Sequence, residues 1–303
     1  MTEYGTETLN HFQTLRDYLR WAITRFEQAG LDYSQGRQTA RAEAEYLIAR
    51  ALGLAPADLK DFLDARLLPA EKTRIIDFLR QREIEHRPAA YITEEAWFCG
   101  LKFHVDERVL IPRSLTEEFI ESGFQPWVDP TRVERILDLC TGSGCIGISL
   151  AYAFEGAQVD IADISGDALD VARRNIAAHG VQDFVHPVQS DLFENLQGRR
   201  YDLIVSNPPY VDAAAMAGLP DEYQREPALA LAAGVDGLDC VIPLLRQAAD
   251  HLNDQGVLVV EVGDSEAALQ ARYPDVPFLW LAHSAGGSGV FLLTAEQLRQ
   301  HGF

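Results

Sequence analysis

The sequence predicts an α/β protein in which a doubly wound, mostly parallel sheet with an antiparallel end follows a small helical domain. Three observations carry that expectation. From about residue 133, short apolar runs alternate with segments of helical length and spacing. A glycine-rich loop directly follows the first of those runs. Residues 10 to about 88, by contrast, show only helical periodicity.

Taken in order, TLRDYLRWAITRFEQAG puts Leu15, Leu19, Ala22 and Phe26 on one helical face and stops at Gly30. TARAEAEYLIARALGL follows and ends near Gly53. Pro56 and Pro69 stand where first-turn prolines belong, opening DLKDFLDARL and EKTRIIDFLRQREIEHR. This bundle holds no cluster of reactive side chains, so recognition or scaffolding is its expected role. Residues 91–113, YITEEAWFCGLKFHVDERVLIPR, gather aromatic and β-branched residues around a Cys99-Gly100 turn, predicting a hairpin that links two domains. RILDL, VDIADI, YDLIVS and GVLVVEV then read as strands buried on both faces. GCIGISLAYAF, DALDVARRNIAAHG and LDCVIPLLRQAADHL between them read as helices. PFLWLAHS and VFLLT, joined by a glycine-rich turn, predict the antiparallel end.

Composition narrows the function classes. Hydrophobic residues make up 47%, enough for a sizeable core, yet no apolar run approaches the roughly 20 residues of a membrane-spanning helix. The stretch MTEYGTETLNHFQ lacks the basic and apolar regions of a signal peptide. Four cysteines without a CxxC pair, and eight histidines apart from them, suggest reduced thiols and no zinc site. A cytoplasmic protein is expected. With 26 Lys+Arg against 46 Asp+Glu, the net charge of -20 weighs against a nucleic-acid face and suits a basic macromolecular partner.

The loop DLCTGSGCIGI, Asp138 to Ile148, spells GxGxxG across Gly142, Ser143, Gly144, Cys145, Ile146 and Gly147. Between a strand and a helix, such glycines let the backbone turn tightly and approach a ligand at the helix N-terminus. About 20 residues on, Asp163 ends the second strand, placed to accept hydrogen bonds from ribose hydroxyls. Together they indicate a nucleoside-containing cofactor, either a dinucleotide or S-adenosylmethionine (AdoMet). The fourth strand separates the two. It ends in NPPY, Asn207 to Tyr210, with no His or Lys nearby to handle the proton of a hydride transfer.

With an acid after the third strand, Asp191, these features resemble AdoMet-dependent methyltransferases. The resemblance implies a Rossmann-like, seven-stranded sheet whose last strand is antiparallel. In that class (D/N)PPY marks enzymes that methylate nitrogens conjugated to a π system. The helical N-terminal part, the hairpin, VLIPRS and NPPY resemble more narrowly the HemK/PrmC-like protein glutamine N(5)-methyltransferases, over nearly the whole chain. One bacterial branch modifies the GGQ glutamine of release factors and typically reads IPRP. The other modifies a glutamine of the large-subunit ribosomal protein L-three. IPRS (Ile111 to Ser114), LPDEYQREPALALAAGVDGLD and the final GGSGVFLLTAEQL resemble the second.

The resemblance implies three parts: a substrate-recognition domain at 1–90, a hairpin linker at 91–113 and a catalytic domain at 114–303. It implies cofactor contacts from Cys140, Thr141, Gly142, Ser143, Gly144, Asp163, Asp191, Leu192 and Asn207. Catalysis is expected from Asn207, Pro208 and Tyr210, and substrate contacts from these three with Pro209 and Arg113. The chemistry is consistent. A planar amide nitrogen must localise its lone pair to attack a methyl group, and two acceptors aimed at its N–H hydrogens, the Asn207 oxygen and the Pro208 carbonyl, favour that change. Prolines keep both aimed, Tyr210 can stack on the flat amide, and no strong general base is required. Two positions depart from the family pattern: Cys140 stands where glycine is usual, and Leu192 where some release-factor enzymes carry Trp.

Weaker features have structural readings. Arg113 is as well placed to pair with Glu117 as to line the site entrance. Trp97, Phe98 and Phe103 suit interdomain packing better than a grip on substrate. Glu226 and Asp239 read as a solvated face, His283 as structural or exposed, and Gly286–Gly289 as a turn. Besides the release-factor branch, the rivals are a nucleic-acid amino-methyltransferase, an NAD-dependent dehydrogenase and a binding module without catalysis.

Overall fold

The computed structural model describes residues 11–36, 38–284, 286 and 288–303. The signal-peptide reading of the N-terminus rests mainly on residues outside this range, and Gly287 of the glycine run also lies outside it. The chain forms two compact units, Met1–Glu95 with Pro220–Arg225, and Ala96–Leu219 with Glu226–Phe303.

The first unit is helical. Thr14 and Asp17 form a capping box at the start of α1, Leu15–Ala29, with the Asp17 carboxylate accepting from the Thr14 backbone at 2.9 Å. The face predicted from spacing is the buried one: Leu15, Leu19, Ala22 and Phe26, joined by Tyr18. Thr39 caps α2, Ala40–Leu52. Pro56–Phe62, expected as an α-helix, is a 3₁₀ helix. Pro69 opens α3, Pro69–Glu85, and α4 is the single turn Ala89–Thr93. Arg82 of α3 is 1% exposed. It donates to Glu43, to Glu222 at 2.9 Å and to the Asp32 carbonyl at 2.6 Å. Glu222 also accepts from the Asp32 backbone N–H at 3.0 Å. A buried guanidinium needs such partners, and here they tie Pro220–Arg225, read from sequence with residues 114–303, into the helical unit.

The second unit opens with the expected hairpin. Its strands, β1 Glu95–Phe98 and β2 Leu101–His104, pair as a two-stranded sheet shorter than the 91–113 span. Cys99 (φ 47°) and Gly100 (φ 68°) supply the two left-handed residues of a tight turn. Phe98 and Phe103 are buried in the core of this unit, whereas Trp97 is exposed.

The main sheet has seven strands in the order β5-β4-β3-β6-β7-β9-β8. They are β3 Arg135–Leu139, β4 Gln158–Asp163, β5 Val185–Gln189, β6 Tyr201–Ser206, β7 Leu252–Glu261, β8 Leu279–Trp280 and β9 Val290–Thr294. The first five pair in parallel, and β9 runs antiparallel between β7 and β8. PFLWLAHS gives only the two residues of β8. Both faces are buried, as the continuous apolar runs imply. Ile136, Leu203, Val205 and Val259 enter one core cluster, while Leu137, Ile204, Leu258 and Val260 enter the other. The helices beside the sheet include α5 Thr116–Glu121, α6 Cys145–Ala153, α7 Gly166–His179, α8 Ala213–Gly218, α9 Val241–Ala248, α10 Glu266–Arg272 and α11 Ala295–Gln300. Among the described residues no helix is long and apolar enough to cross a membrane.

Candidate active site

Parallel register brings the sequence motifs to one edge. Leu139 pairs with both Ala162 and Ser206, and Asp163 pairs with Gln189. The residues after those strand ends therefore emerge together at the carboxyl edge of four adjacent strands, where open α/β sheets bind ligands. A cavity of about 520 Å³ lies there. Cys140, Gly142, Asp163, Asp191, Leu192, Asn207 and Pro209 line it. Thr141, Ser143, Gly144, Pro208, Tyr210 and Arg113 are not among its lining residues.

The glycine loop is held from below by Asp138, which is fully buried. One carboxylate oxygen accepts from the Thr141 hydroxyl and from the Gly147 N–H at 2.8 Å. The other oxygen has no hydrogen-bond partner among the described residues. Burial pushes the Asp138 carboxyl up to about 7, against which its two hydrogen bonds act. A Cβ on Gly147 would overlap Ile161 Cγ2, so this glycine permits close helix–sheet packing. Asn175 of α7 fixes the far side. Its amide donates to the carbonyls of Ser143 (2.9 Å) and His104 (3.0 Å), and its oxygen accepts from the His104 N–H at 2.7 Å.

Asp163 receives the Gly142 N–H and the Ser165 N–H, each at 2.9 Å. The Ile164 backbone also hydrogen-bonds this carboxylate, which leaves a lone pair for a hydroxyl donor. Burial raises this carboxyl above its usual range. Cys140 adopts φ 62° where the family pattern has glycine, and its Sγ lies 4.0 Å from Cys240 Sγ on the same wall. The Cys240 contact and burial both raise the Cys140 thiol, so it stays protonated and unsuited to nucleophilic attack.

The Asn207–Tyr210 segment is tied down at both ends. Ser206 donates to the Leu139 carbonyl at 2.7 Å. Val211 exchanges backbone hydrogen bonds with Leu231 (2.8 Å) and Ala233 (2.9 Å). Between them Asn207 lines the cavity. The Tyr210 hydroxyl donates to Glu261 at 3.0 Å, and its carbonyl accepts from the Ser265 hydroxyl at 2.8 Å.

Several weaker readings change. Arg113 pairs with Glu226 at 2.8 Å, while Glu117 accepts from the Cys99 N–H at 2.5 Å. Glu226 is buried, not solvated, because it also accepts from the Ile111 N–H at 3.0 Å. Asp239 is exposed and lines the cavity. His283 lies 3.2 Å from Glu118. The sequence reading missed Glu261, whose one available signal was a carboxylate at the end of the apolar run GVLVV. It also missed Asn175 and the cavity-lining Arg108–Leu110, which carry no motif.

Comparison with known proteins agrees with this geometry. The "Methyltransferase small domain" family matches residues 125–219, and the "PrmC N-terminal domain" family matches residues 17–93. The "Ribosomal protein uL3 glutamine methyltransferase" of Neisseria gonorrhoeae (strain ATCC 700825 / FA 1090) is 49% identical over 94% of this chain and 95% of its own. The protein of that name from Bordetella pertussis (strain Tohama I / ATCC BAA-589 / NCTC 13251) is also 49% identical, over 94% of this chain and 96% of its own. The chain belongs to the uL3 glutamine methyltransferase family. uL3 is the protein called L-three above. The hMettl16 catalytic domain, solved with a MAT2A 3'UTR hairpin, shares the fold at 19% identity and a TM-score of 0.50, over 74% of this chain and 80% of that one. For a member of this methyltransferase family, the cavity beside Asn207 is the candidate site of transfer.

Proposed function

We propose that the protein transfers a methyl group from AdoMet to the side-chain amide nitrogen of a glutamine in ribosomal protein uL3. The observation that carries this reading is Asn207, a side-chain amide on a proline-stiffened segment at the wall of the strand-edge cavity. The 49% identity to uL3 enzymes over most of the chain supports the substrate.

The lining residues fit AdoMet better than a dinucleotide. Four carboxylates, Asp163, Asp191, Glu194 and Asp239, face the cavity against one guanidinium, Arg108. Arg108 is itself paired with Asp106 at 2.7 Å. Such a field disfavours a pyrophosphate and favours a cationic ligand. Asp163 would accept from the ribose, the Cys140–Gly144 loop would pass the amino-acid part, and Leu192 would form an apolar wall by the base. When bound, AdoMet supplies an electrophilic methyl on a sulfonium. The chain's own work is orientation. The Asn207 oxygen and Pro208 carbonyl accept the two N–H hydrogens of the substrate amide, and Tyr210 sets its plane. The product nitrogen sheds its proton readily, so no base is needed.

The partner is basic uL3 before assembly, drawn to a chain of net charge -20 in the cytoplasm. Residues 1–90 are the recognition domain, which Pro220–Arg225 joins, 91–113 are the linker and the rest of 114–303 is the catalytic part. Arg113, paired with Glu226, shapes the linker beside the site. The test is transfer of labelled methyl from AdoMet to unmethylated uL3 and to an unmethylated release factor, with the site mapped by mass spectrometry. Label on a uL3 glutamine amide is expected. Label only on the release-factor GGQ glutamine would keep the chemistry and overturn the substrate.

A further inference from the structure

We propose that Glu261 is a positioning residue for methyl transfer, holding the Tyr210 ring through its hydroxyl; this rests on the reading that Tyr210 faces the substrate amide. Glu261 ends β7 and is 3% exposed, an expensive place for a carboxylate without a task. Its oxygens divide their partners. Oε1 accepts from the Tyr210 hydroxyl at 3.0 Å. Oε2 accepts from the Ser114 hydroxyl at 2.5 Å and the Leu115 N–H at 3.0 Å.

The rest of Tyr210 is equally constrained. Ser265 fixes its carbonyl at 2.8 Å. Gly263 lies against the ring, where a Cβ would stand 2.5 Å from Cε2. A ring pinned at its carbonyl and face can still tilt about its side-chain torsions. The hydroxyl bond to Glu261 removes that freedom, and it also joins the IPRS linker to the NPPY segment through one carboxylate.

Glu261→Gln tests this at constant volume. A glutamine can keep its oxygen on Ser114 and the Leu115 N–H but turns only a neutral NH₂ toward the Tyr210 oxygen, so the charge-assisted bond that the Tyr210 hydroxyl donates is lost while the other two contacts remain. The expected result is a kcat for labelled-methyl transfer to purified uL3 lower by about 10- to 100-fold, because misplacement by about 1 Å costs that much. KM for uL3 and calorimetric AdoMet affinity should stay within about twofold. In a Tyr210→Phe background the link is already absent, so Glu261→Gln should cost less than about twofold more. An equal loss in both backgrounds, or loss of AdoMet binding, would show a general structural role and overturn the proposal. A crystal structure of the variant gives a readout independent of turnover: a displaced Tyr210 ring is expected, and an unmoved ring overturns positioning. A wild-type enzyme inert toward uL3 would instead overturn the substrate reading, and the ring position would still decide this one.

Discussion

Replacing Asp138 by asparagine should change how stability depends on pH. Asp138 is fully buried beneath the glycine loop, with one oxygen unpartnered, and its carboxyl is raised to about 7 from 3.8. The sign follows from proton counts. Between those values the folded chain holds a proton that the unfolded chain has released, so this group's contribution falls as pH rises. It is fully present below 3.8 and gone once pH passes about 7. The sequence pI near 4.7 makes the lower window poorly soluble, so urea unfolding is best followed from about pH 5.5 to about pH 8. Over that range the wild type should lose about 2 kcal/mol relative to Asp138→Asn, at about 1.4 kcal/mol per pH unit up to the folded pKa. Subtracting the variant's curve removes other titrating groups, including Asp163 and Glu261, whose carboxyls burial also raises. Parallel curves would refute the argument, since they would mean that Asp138 is ionised throughout or already neutral at pH 8.

Gly147→Ala should destabilise by about 1–3 kcal/mol, because a Cβ overlapping Ile161 Cγ2 outweighs the roughly 1 kcal/mol of helix propensity gained; chemical denaturation checks the sign. Arg82→Ala leaves Glu43 and Glu222 buried without their guanidinium and should cost about 3–5 kcal/mol by the same assay. Asn207→Ala should retain AdoMet affinity in calorimetry and lose about 100- to 1,000-fold in turnover, the scale of one oriented polar group lost from a transition state. Near-normal turnover would remove Asn207 from the mechanism.

The parts of the site that the sequence revealed are those fixed by local backbone rules. A glycine loop between strand and helix, an acid ending the next strand and a Pro-Pro pair after the fourth all act where they stand in the chain. Parallel register then places Cys140, Asp163, Asp191 and Asn207 at one edge without further information. What stayed hidden depends on distant pairs. Arg113 and Glu226 are 113 residues apart, so its near neighbour Glu117 was the more visible partner. Glu222 stands in the stretch LPDEYQREP with no sequence sign of a partner, and only the fold shows that it is buried against Arg82. The 3₁₀ turn at Pro56–Phe62 shows the same limit at short range, since the apolar spacing of DLKDFLDARL fits either helix type.

The division between visible and hidden residues also follows from the proposed chemistry. A reaction that uses a general base exposes itself in sequence as a His or Lys near a nucleophile. Methylation of an amide needs neither, so the specialised groups are acceptors and a ring whose value lies in their aim. Aim is set by what stands behind them: Ser206 on the Leu139 carbonyl, Ser265 on the Tyr210 carbonyl, and Glu261 on the Tyr210 hydroxyl. Each is a common residue type reaching its target from another strand or turn, with no motif of its own. The stiffness that NPPY announces is therefore only half of the device, because prolines fix backbone torsions and leave the tyrosine side chain free. On this reasoning, residues that tune the rate should be found along Glu261–Ser265 as readily as within NPPY itself.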